Sequence, residues 1–306
     1  MTARGTTGTG HATNGSVELH YETLGDPADP ALLWVCGLGS QCITFVDELR
    51  QRFVDAGFFT IRFDNRDVGL STKFADVRPD LRRVIDALRA GEEPDVPYRL
   101  ADMAADAVAV LDAVGVERAH VLGVSMGGMI VQTMAIEHPE RVASLTSVMS
   151  TTGDRSVGGS SPEAGKLLTT PVGPTRQDAI DRAIEGARTY GSPAHVDTER
   201  VATIAGAAYD RCFHPEGTGR QLMAINASGD RSDALRALDV PTLVIHGDQD
   251  RLIDVSGGIR TADLVPGARL AVIEGMGHDL VPAFWPRIVE LVTEHAAAAG
   301  APVSSA

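Results

Sequence analysis

The chain of 306 residues is predicted to be an α/β protein, with a mostly parallel central sheet and helices on both faces. Short apolar runs typical of buried strands alternate with amphipathic helical patterns along most of the sequence. One long interval, residues 151–237, breaks this alternation because it contains no convincing strand pattern. Hydrophobic residues make up 43% of the chain, which is enough to bury a full core.

The predicted elements follow one another in the order expected of such a fold. The predicted strands are residues 17–23, 31–35, 58–63, 119–123, 143–149, 241–246 and 269–273. The predicted core helices are residues 44–56, 100–114, 128–138, 256–264 and 283–295. Strands that alternate with helices run parallel, because each helix carries the chain back to the edge where the next strand starts.

The long interval is interpreted as a helical cap inserted into the core, since such a gap is far longer than an ordinary connection. Its helical stretches are predicted at residues 176–189, 197–212 and 216–227. The α/β core is assigned to residues 16–150 and 238–295, residues 1–15 to a disordered tail, and residues 296–306 to a low-complexity tail.

Charge and composition exclude several classes of partner. A net charge of −14 argues against binding to nucleic acid or to an anionic membrane surface. No run reaches the roughly 18 apolar residues of a membrane span, and no signal peptide is visible. The three cysteines form neither a disulfide framework nor a metal motif, so we expect a cytoplasmic protein without a metal.

Residues 123–127 read Gly-Val-Ser-Met-Gly, the G-x-S-x-G pattern, between an apolar strand and a helical pattern. In this context the pattern predicts a nucleophile elbow, in which Ser125 lies on a sharp turn with its hydroxyl in a cleft. Glycine is expected on either side because side chains there would collide with the neighbouring strand or helix.

A serine nucleophile needs a base, and that base needs an acid to orient it. After the strand at 241–246, both Asp248 and Asp250 are candidates for the acid, and Asp250 is favoured because the loop then has room to turn back. His278, in the glycine-rich loop after the last strand, is the predicted base. His246 is its rival among nine histidines, but its position four residues before Asp250 suggests that it anchors that loop.

An oxyanion hole requires two backbone donors. One is expected to be the N–H of Met126, directly after the nucleophile. The other is assigned to the N–H of Leu38, in the glycine-rich loop after the strand at 31–35, with Gly37 or Gly39 as alternatives.

These motifs make residues 17–294 resemble the α/β-hydrolase superfamily. Residues 62–72 are similar to its D-x-R-x-x-G-x-S turn, which holds the loop beside the active site in the family. Together with residues 105–112, that turn looks most like the aclacinomycin methylesterase branch, which cleaves a methyl ester on a polyketide aglycone. The chain departs from many relatives at Cys36-Gly37, where they carry His-Gly.

The resemblance and the motifs lead to one expected function and three alternatives. The expected function is cleavage of a carboxylic ester by a Ser-His-Asp acyl-enzyme mechanism, with the methyl ester of a bulky cyclic or polyketide-like compound as the favoured substrate. No cofactor is expected, and the expected partner is a small-molecule ester. The alternatives are carbon–carbon bond hydrolysis, acyl transfer or perhydrolysis with the same triad, and ligand binding without catalysis.

Overall fold

A computed structural model of the protein describes residues 6–300. Its strands are β1 (Thr6–Asn14), β2 (Val17–Gly25), β3 (Ala31–Val35), β4 (Phe59–Phe63), β5 (Ala119–Val124), β6 (Val142–Val148), β7 (Thr242–Gly247) and β8 (Arg269–Ile273). Its α-helices are α1 (Asp47–Asp55), α2 (Leu81–Ala90), α3 (Leu100–Ala113), α4 (Met126–Glu137), α5 (Pro162–Thr169), α6 (Arg176–Tyr190), α7 (Thr198–Arg211), α8 (Pro215–Ser228), α9 (Ser232–Arg236), α10 (Ser256–Leu264) and α11 (Trp285–Gly300).

All eight strands belong to one sheet, in the order β1-β2-β4-β3-β5-β6-β7-β8. The pairs β1·β2 and β2·β4 are antiparallel, and every later pair is parallel. The predicted α/β fold is therefore confirmed. The carboxyl ends of the parallel strands meet at one edge, where such sheets place their functional loops.

Helices cover both faces of the sheet, because successive residues of each buried strand point to opposite sides. In β3, Leu33 packs with α3 and α4 on one face, and Trp34 packs with α1 and α11 on the other. The strands β3, β4 and β7 are buried at every position, and β3 accordingly reads as a continuous apolar run.

Helices α5 to α9 all lie between β6 and β7, which are neighbours in the sheet with Leu145 opposite Thr242. The chain thus leaves the sheet after one strand and returns to the adjacent position. We refer to residues 151–237 as the cap. Two of its helices, α5 and α9, are short and were not among the predicted stretches.

The prediction of a disordered tail over residues 1–15 is wrong for the part that the structure describes. Residues 6–14 form β1, which pairs along its whole length with β2. The turn at Gly15, with φ of +59°, makes a two-residue hairpin between Asn14 and Val17. Long-range pairing stabilises a Thr/Gly-rich segment whose composition alone suggested disorder; residues 1–5 lie outside the described residues.

The prediction of a low-complexity tail from residue 296 is also wrong over its first residues, because α11 continues to Gly300. Its alanine run has the highest intrinsic helix propensity, and Ala296 packs against the core. Residues 301–306 lie outside the described residues. None of the helices within residues 6–300 combines the length and the apolar character needed to cross a bilayer.

Candidate active site

Ser125 lies at the junction of β5 and α4, with backbone angles of φ 57° and ψ −119°. Few residues other than glycine adopt such a positive φ, so this turn is strained. A Cβ at Gly123 would lie 2.1 Å from Gly127 O, and one at Gly127 would lie 2.0 Å from Val35 O. The two glycines of the motif are therefore required by the close approach of strand, turn and helix.

The backbone of Ser125 is held by hydrogen bonds that do not involve its hydroxyl. Ser125 N–H donates to Val148 O at 2.9 Å, and Ser125 O accepts from the hydroxyl of Ser150 at 2.8 Å. Ser125 lines the cavity described below, next to Gly37.

Asp250 and His278 form a hydrogen bond of 2.7 Å between Oδ2 and Nδ1. The other oxygen of Asp250 accepts from the N–H groups of Leu252 and Ile253, each at 2.9 Å, which fixes the carboxylate in the loop after β7. Burial raises the pKa of Asp250, but the charge of His278 and hydrogen bonds from His246, His278 and Ile253 outweigh it and lower the pKa to about 2. Asp250 is therefore ionised at neutral pH.

The rival residues occupy other positions. Asp248 is exposed and accepts from Gly275 N–H at 2.7 Å, so it joins the loop after β7 to the loop after β8 and does not meet His278. His246 is fully buried, and its Nε2 lies 2.8 Å from Ile253 O and 3.4 Å from Asp250 Oδ2. It therefore supports the loop of Asp250 from behind, while His278 reaches the cavity.

The structure brings Ser125 and His278 to the wall of one cavity. Within residues 6–300, however, no hydrogen bond joins Ser125 Oγ to the His278 ring. The predicted contact between Ser125 Oγ and His278 Nε2 therefore stays a prediction, and hydrogen bonds of this kind often shorten only when substrate is bound.

Leu38 and Met126, whose N–H groups are predicted as oxyanion donors, both line the cavity with Ser125. In the described part of the chain, the hydrogen bonds of turns, loops and caps use neither Leu38 N–H nor Met126 N–H. Met126 is the first residue of α4, where N–H groups lack helical acceptors and the helix dipole favours negative charge. Gly39 is excluded as a donor because its N–H is bound to Gln221 Oε1 at 2.8 Å.

Neighbouring loops hold the backbone of the Leu38 loop, although Cys36 replaces the family's histidine. Asn65 Nδ2 donates to Cys36 O at 3.0 Å, and Cys42 N–H donates to Asp64 Oδ1 at 2.7 Å. Burial raises the pKa of the Cys36 thiol well above its usual range, so this side chain is neutral packing. The turn at residues 62–72 thus supports the loop as the resemblance implied.

The cavity has a volume of about 660 Å³, within the range of small-molecule sites. Its sheet side carries Ser125, Met126, Leu38 and His278, and apolar side chains of the cap form most of the opposite wall. The cap residues on that wall include Leu168, Ala183, Ala187, Val201, Ile204, Ala205, Leu222 and Ile225. A second cavity of about 730 Å³ adjoins it and shares Leu38, Gly39, Gln41, Leu168, Tyr190, Ala205, Ala208 and Leu222.

Sequence reasoning missed the cap residues that contact the loops of Leu38 and His278. Gln221 in α8 accepts from Gly39 N–H and donates to Arg66 O at 2.8 Å. Ser192, after α6, accepts from Gly277 N–H at 2.9 Å. No local pattern marks either residue, because each acts on a loop far away in the sequence.

Similarity to known proteins agrees with this architecture. A family model described as "alpha/beta hydrolase fold" matches residues 36–282. Rhodomycin D methylesterase DauP of Streptomyces sp. (strain C5) is 30% identical over 310 residues, which cover 94% of this chain and 97% of that protein. The 2-hydroxymuconate semialdehyde hydrolase of Pseudomonas putida is 32% identical over 209 residues, 64% of this chain and 70% of its own.

Among solved structures, 2-hydroxy-6-oxo-6-phenylhexa-2,4-dienoate hydrolase (BphD) of Rhodococcus sp. strain RHA1 has the same fold. Its TM-score is 0.72 at 18% identity, over 95% of this chain and 99% of that one.

The fold and the matching family model define the class, and the chain belongs to the α/β-hydrolase family. Within that family, its similarity to a rhodomycin D methylesterase confirms the resemblance to the aclacinomycin methylesterase-like branch. The enzyme class that these similarities support is a carboxylic ester hydrolase.

Proposed function

We propose that the protein is a serine esterase in which Ser125 is the nucleophile, His278 the general base and Asp250 the orienting acid. The observation that carries the proposal is the 2.7 Å bond between Asp250 and His278 at the wall of the cavity that Ser125 also lines. A buried carboxylate on Nδ1 leaves Nε2 of the ring to exchange a proton with a hydroxyl.

The reaction follows from these positions. Ser125 Oγ attacks the ester carbonyl carbon while its proton passes to His278 Nε2, and the carbonyl electrons move to the oxygen. The N–H groups of Leu38 and Met126 bind the oxyanion, and loss of one such donor typically costs about 2.7–4 kcal/mol of transition-state stabilisation.

Collapse of this intermediate breaks the bond to the alcohol oxygen, which leaves with the proton held on His278. Water then loses a proton to His278 and adds to the acyl group on Ser125. The acid is released when Ser125 Oγ takes that proton back, so each turnover consumes one ester and one water.

For the substrate, we favour the methyl ester of a bulky cyclic or polyketide-like compound. Two adjoining cavities of about 660 and 730 Å³ are more than a short acyl chain fills. Their apolar cap walls suit a ring system, and the named activity of the methylesterase relative points to the same bond.

Carbon–carbon bond hydrolysis is the second candidate, because one relative is a 2-hydroxymuconate semialdehyde hydrolase. The same nucleophile, base and oxyanion donors serve that reaction, so the geometry of the residues alone does not separate the two.

A substrate panel tests the proposal. Purified protein and its Ser125→Ala variant are assayed with cyclic methyl esters, short acyl esters, lactones and vinylogous diketones. The esterase proposal expects methanol and free acid from wild type and almost none from the variant. Cleavage of the diketones without turnover of any ester would favour the second candidate, and full ester turnover by Ser125→Ala would refute Ser125 as the nucleophile.

A further inference from the structure

Two three-residue segments, far apart in sequence, are joined where the cap meets the loop of His278. Residues 190–192 follow α6 in the cap, and residues 277–279 contain the proposed base. His278 N–H donates to Tyr190 O at 2.7 Å, and Gly277 N–H donates to Ser192 Oγ at 2.9 Å. Ser192 in turn donates to Asp279, through its N–H at 2.8 Å and through its hydroxyl.

This contact is close and buried. A Cβ at Gly277 would lie 2.3 Å from Gly191 C, and one at Gly191 would lie 2.6 Å from Asp279 Oδ2. Ser192 is completely buried, and the ring of Tyr190 meets the His278 ring edge to face at 6.1 Å. Glycine on both sides lets the two backbones approach to hydrogen-bonding distance.

Up to Met276, the core holds the backbone of the same loop. Gln249 N–H donates to Met276 O at 2.9 Å, and Gly275 N–H donates to Asp248. Beyond Met276, the N–H groups of Gly277 and His278 both find their acceptors in the cap. The cap therefore sets the direction in which the His278 side chain leaves the backbone, and Asp250 holds the ring at Nδ1, the nitrogen nearer the backbone.

We propose that Ser192 and Asp279 are a positioning pair that holds the His278 loop against the cap and so aligns the base with Ser125. The inference deepens the proposed function and rests on it. Ser192 acts through a single hydroxyl, which accepts from the backbone of one neighbour of His278 and donates to the side chain of the other. A shift of the cap at this point moves His278.

The test variant is Ser192→Ala, which removes that hydroxyl and leaves the backbone bond from His278 to Tyr190. Its matched control is Ser228→Ala. Ser228 is also a cap serine that accepts a core N–H, from Leu100 at 2.9 Å, but its contacts lie away from His278. Both substitutions leave one backbone donor without its acceptor, so a general loosening of the cap affects both.

With a p-nitrophenyl ester, Ser192→Ala is expected to lower kcat about 10- to 100-fold with KM changed less than about threefold, because the base is misaligned while the cavity stays intact. Ser228→Ala is expected to keep kcat within about twofold of wild type. An unchanged kcat in Ser192→Ala, or an equal fall in both variants, overturns the proposal. If Ser192→Ala does not fold, Asp279→Ala decides by kcat and by the signal described next, because it removes the acceptor of Ser192 and keeps the bond from Gly277. KM is not used for this variant, since Asp279 lines the cavity.

A second readout separates this proposal from the proposed function. Proton NMR follows the low-field signal of the His278 Nδ1–H bound to Asp250, assigned by its loss in Asp250→Asn. If Ser192 positions His278, Ser192→Ala shifts or broadens this signal and Ser228→Ala does not. A signal in Ser192→Ala that is identical to that of wild type overturns the positioning proposal. Failure of the proposed function is seen in wild type instead, as no ester turnover and no reaction of Ser125 with a fluorophosphonate.

Discussion

The two sides of the cavity are built differently. On the sheet side, Ser125, Asp250 and His278 stand on loops after β5, β7 and β8, held by backbone hydrogen bonds and by glycines that nothing larger can replace. On the cap side, α6 and α7 lie over the cavity but bury few of their own residues. The difference indicates that Ser125 and Asp250 sit on the rigid part, whereas the cavity walls, and the acceptors of the His278 loop at residues 190–192, sit on the part with less packing to hold it.

Ion pairs between the cap and the core compensate for the sparse packing of α6 and α7. Arg220 in α8 forms a bidentate pair with Asp67, at 2.9 and 2.8 Å, and both side chains are fully buried. Arg211 at the end of α7 reaches Asp64 at 2.6 Å. Both carboxylates belong to the 62–72 turn that supports the Leu38 loop, so the cap and the proposed oxyanion donor share their supports.

The largest expected effect lies on the sheet side. Ser125→Ala should reduce ester hydrolysis by at least about 10⁴-fold, because the nucleophile is lost. The melting temperature should stay close to that of wild type, since one hydroxyl is removed and no sizeable cavity is left. Steady-state assays and thermal denaturation check both parts, and a retained burst of p-nitrophenol in the variant would point to a different nucleophile.

The second-largest expected effect concerns the buried ion pair between Arg220 in the cap and Asp67 in the core. Arg220→Leu leaves the Asp67 carboxylate buried without its cation, which should cost about 3–5 kcal/mol of folding free energy. Urea unfolding measures this loss. The control is Arg236→Leu, since Arg236 pairs with Asp233 on the surface and its loss should cost less than about 1 kcal/mol. Equal losses of folding free energy in the two variants would mean that the buried Arg220–Asp67 ion pair does not hold the cap.

A smaller effect concerns acid stability on the sheet side. The pKa of Asp250 is lowered from 3.8 to about 2 in the folded protein, so this carboxylate stabilises the fold by about 2 kcal/mol above pH 4. The unfolded chain binds the proton first as pH falls, and the contribution is lost as pH passes down through about 2.

Unfolding free energies of wild type and Asp250→Asn, measured between pH 5 and pH 2, check that the stabilisation by the Asp250 carboxylate decreases as pH falls. The variant should lose less stability than wild type over that interval. Parallel curves would show that Asp250 is not held as an ionised partner of His278.

The smallest expected effect comes from exchanging the part of the cap that lines the cavity. We expect that replacing the cap by that of a short-chain esterase, with residues 190–192 kept, shifts the preference between bulky methyl esters and short acyl esters by about tenfold or more. The pH profile should be retained, because the residues proposed for catalysis stay on the sheet side and residues 190–192 are kept. An unchanged ranking of substrates would assign selection to the sheet side and remove the main support for a bulky cyclic ester.

Local patterns in the sequence were enough to predict much of the sheet and the candidate triad. Alternating apolar runs gave most strands to within a few residues, and G-x-S-x-G between a strand and a helix located the elbow at Ser125. The N-terminal hairpin was missed because β1 is stabilised by pairing with β2, although Gly15-Ser16 was a turn signal that could have revealed it. The C-terminal error arose from interpreting an alanine run as low complexity instead of as helix.

The sequence by itself determined the fold class, the elbow and the chain order of Ser125, Asp250 and His278, since each depends on contacts within a strand and its adjoining loop. Tertiary structure alone decided that Gln221 occupies Gly39 N–H and that Ser192 accepts from Gly277 N–H. It also brought Asp250, which the sequence favoured over Asp248, to His278. Those contacts join residues from 28 to 182 positions apart. Their geometry depends on how the cap packs onto the sheet, which no local pattern of residues encodes.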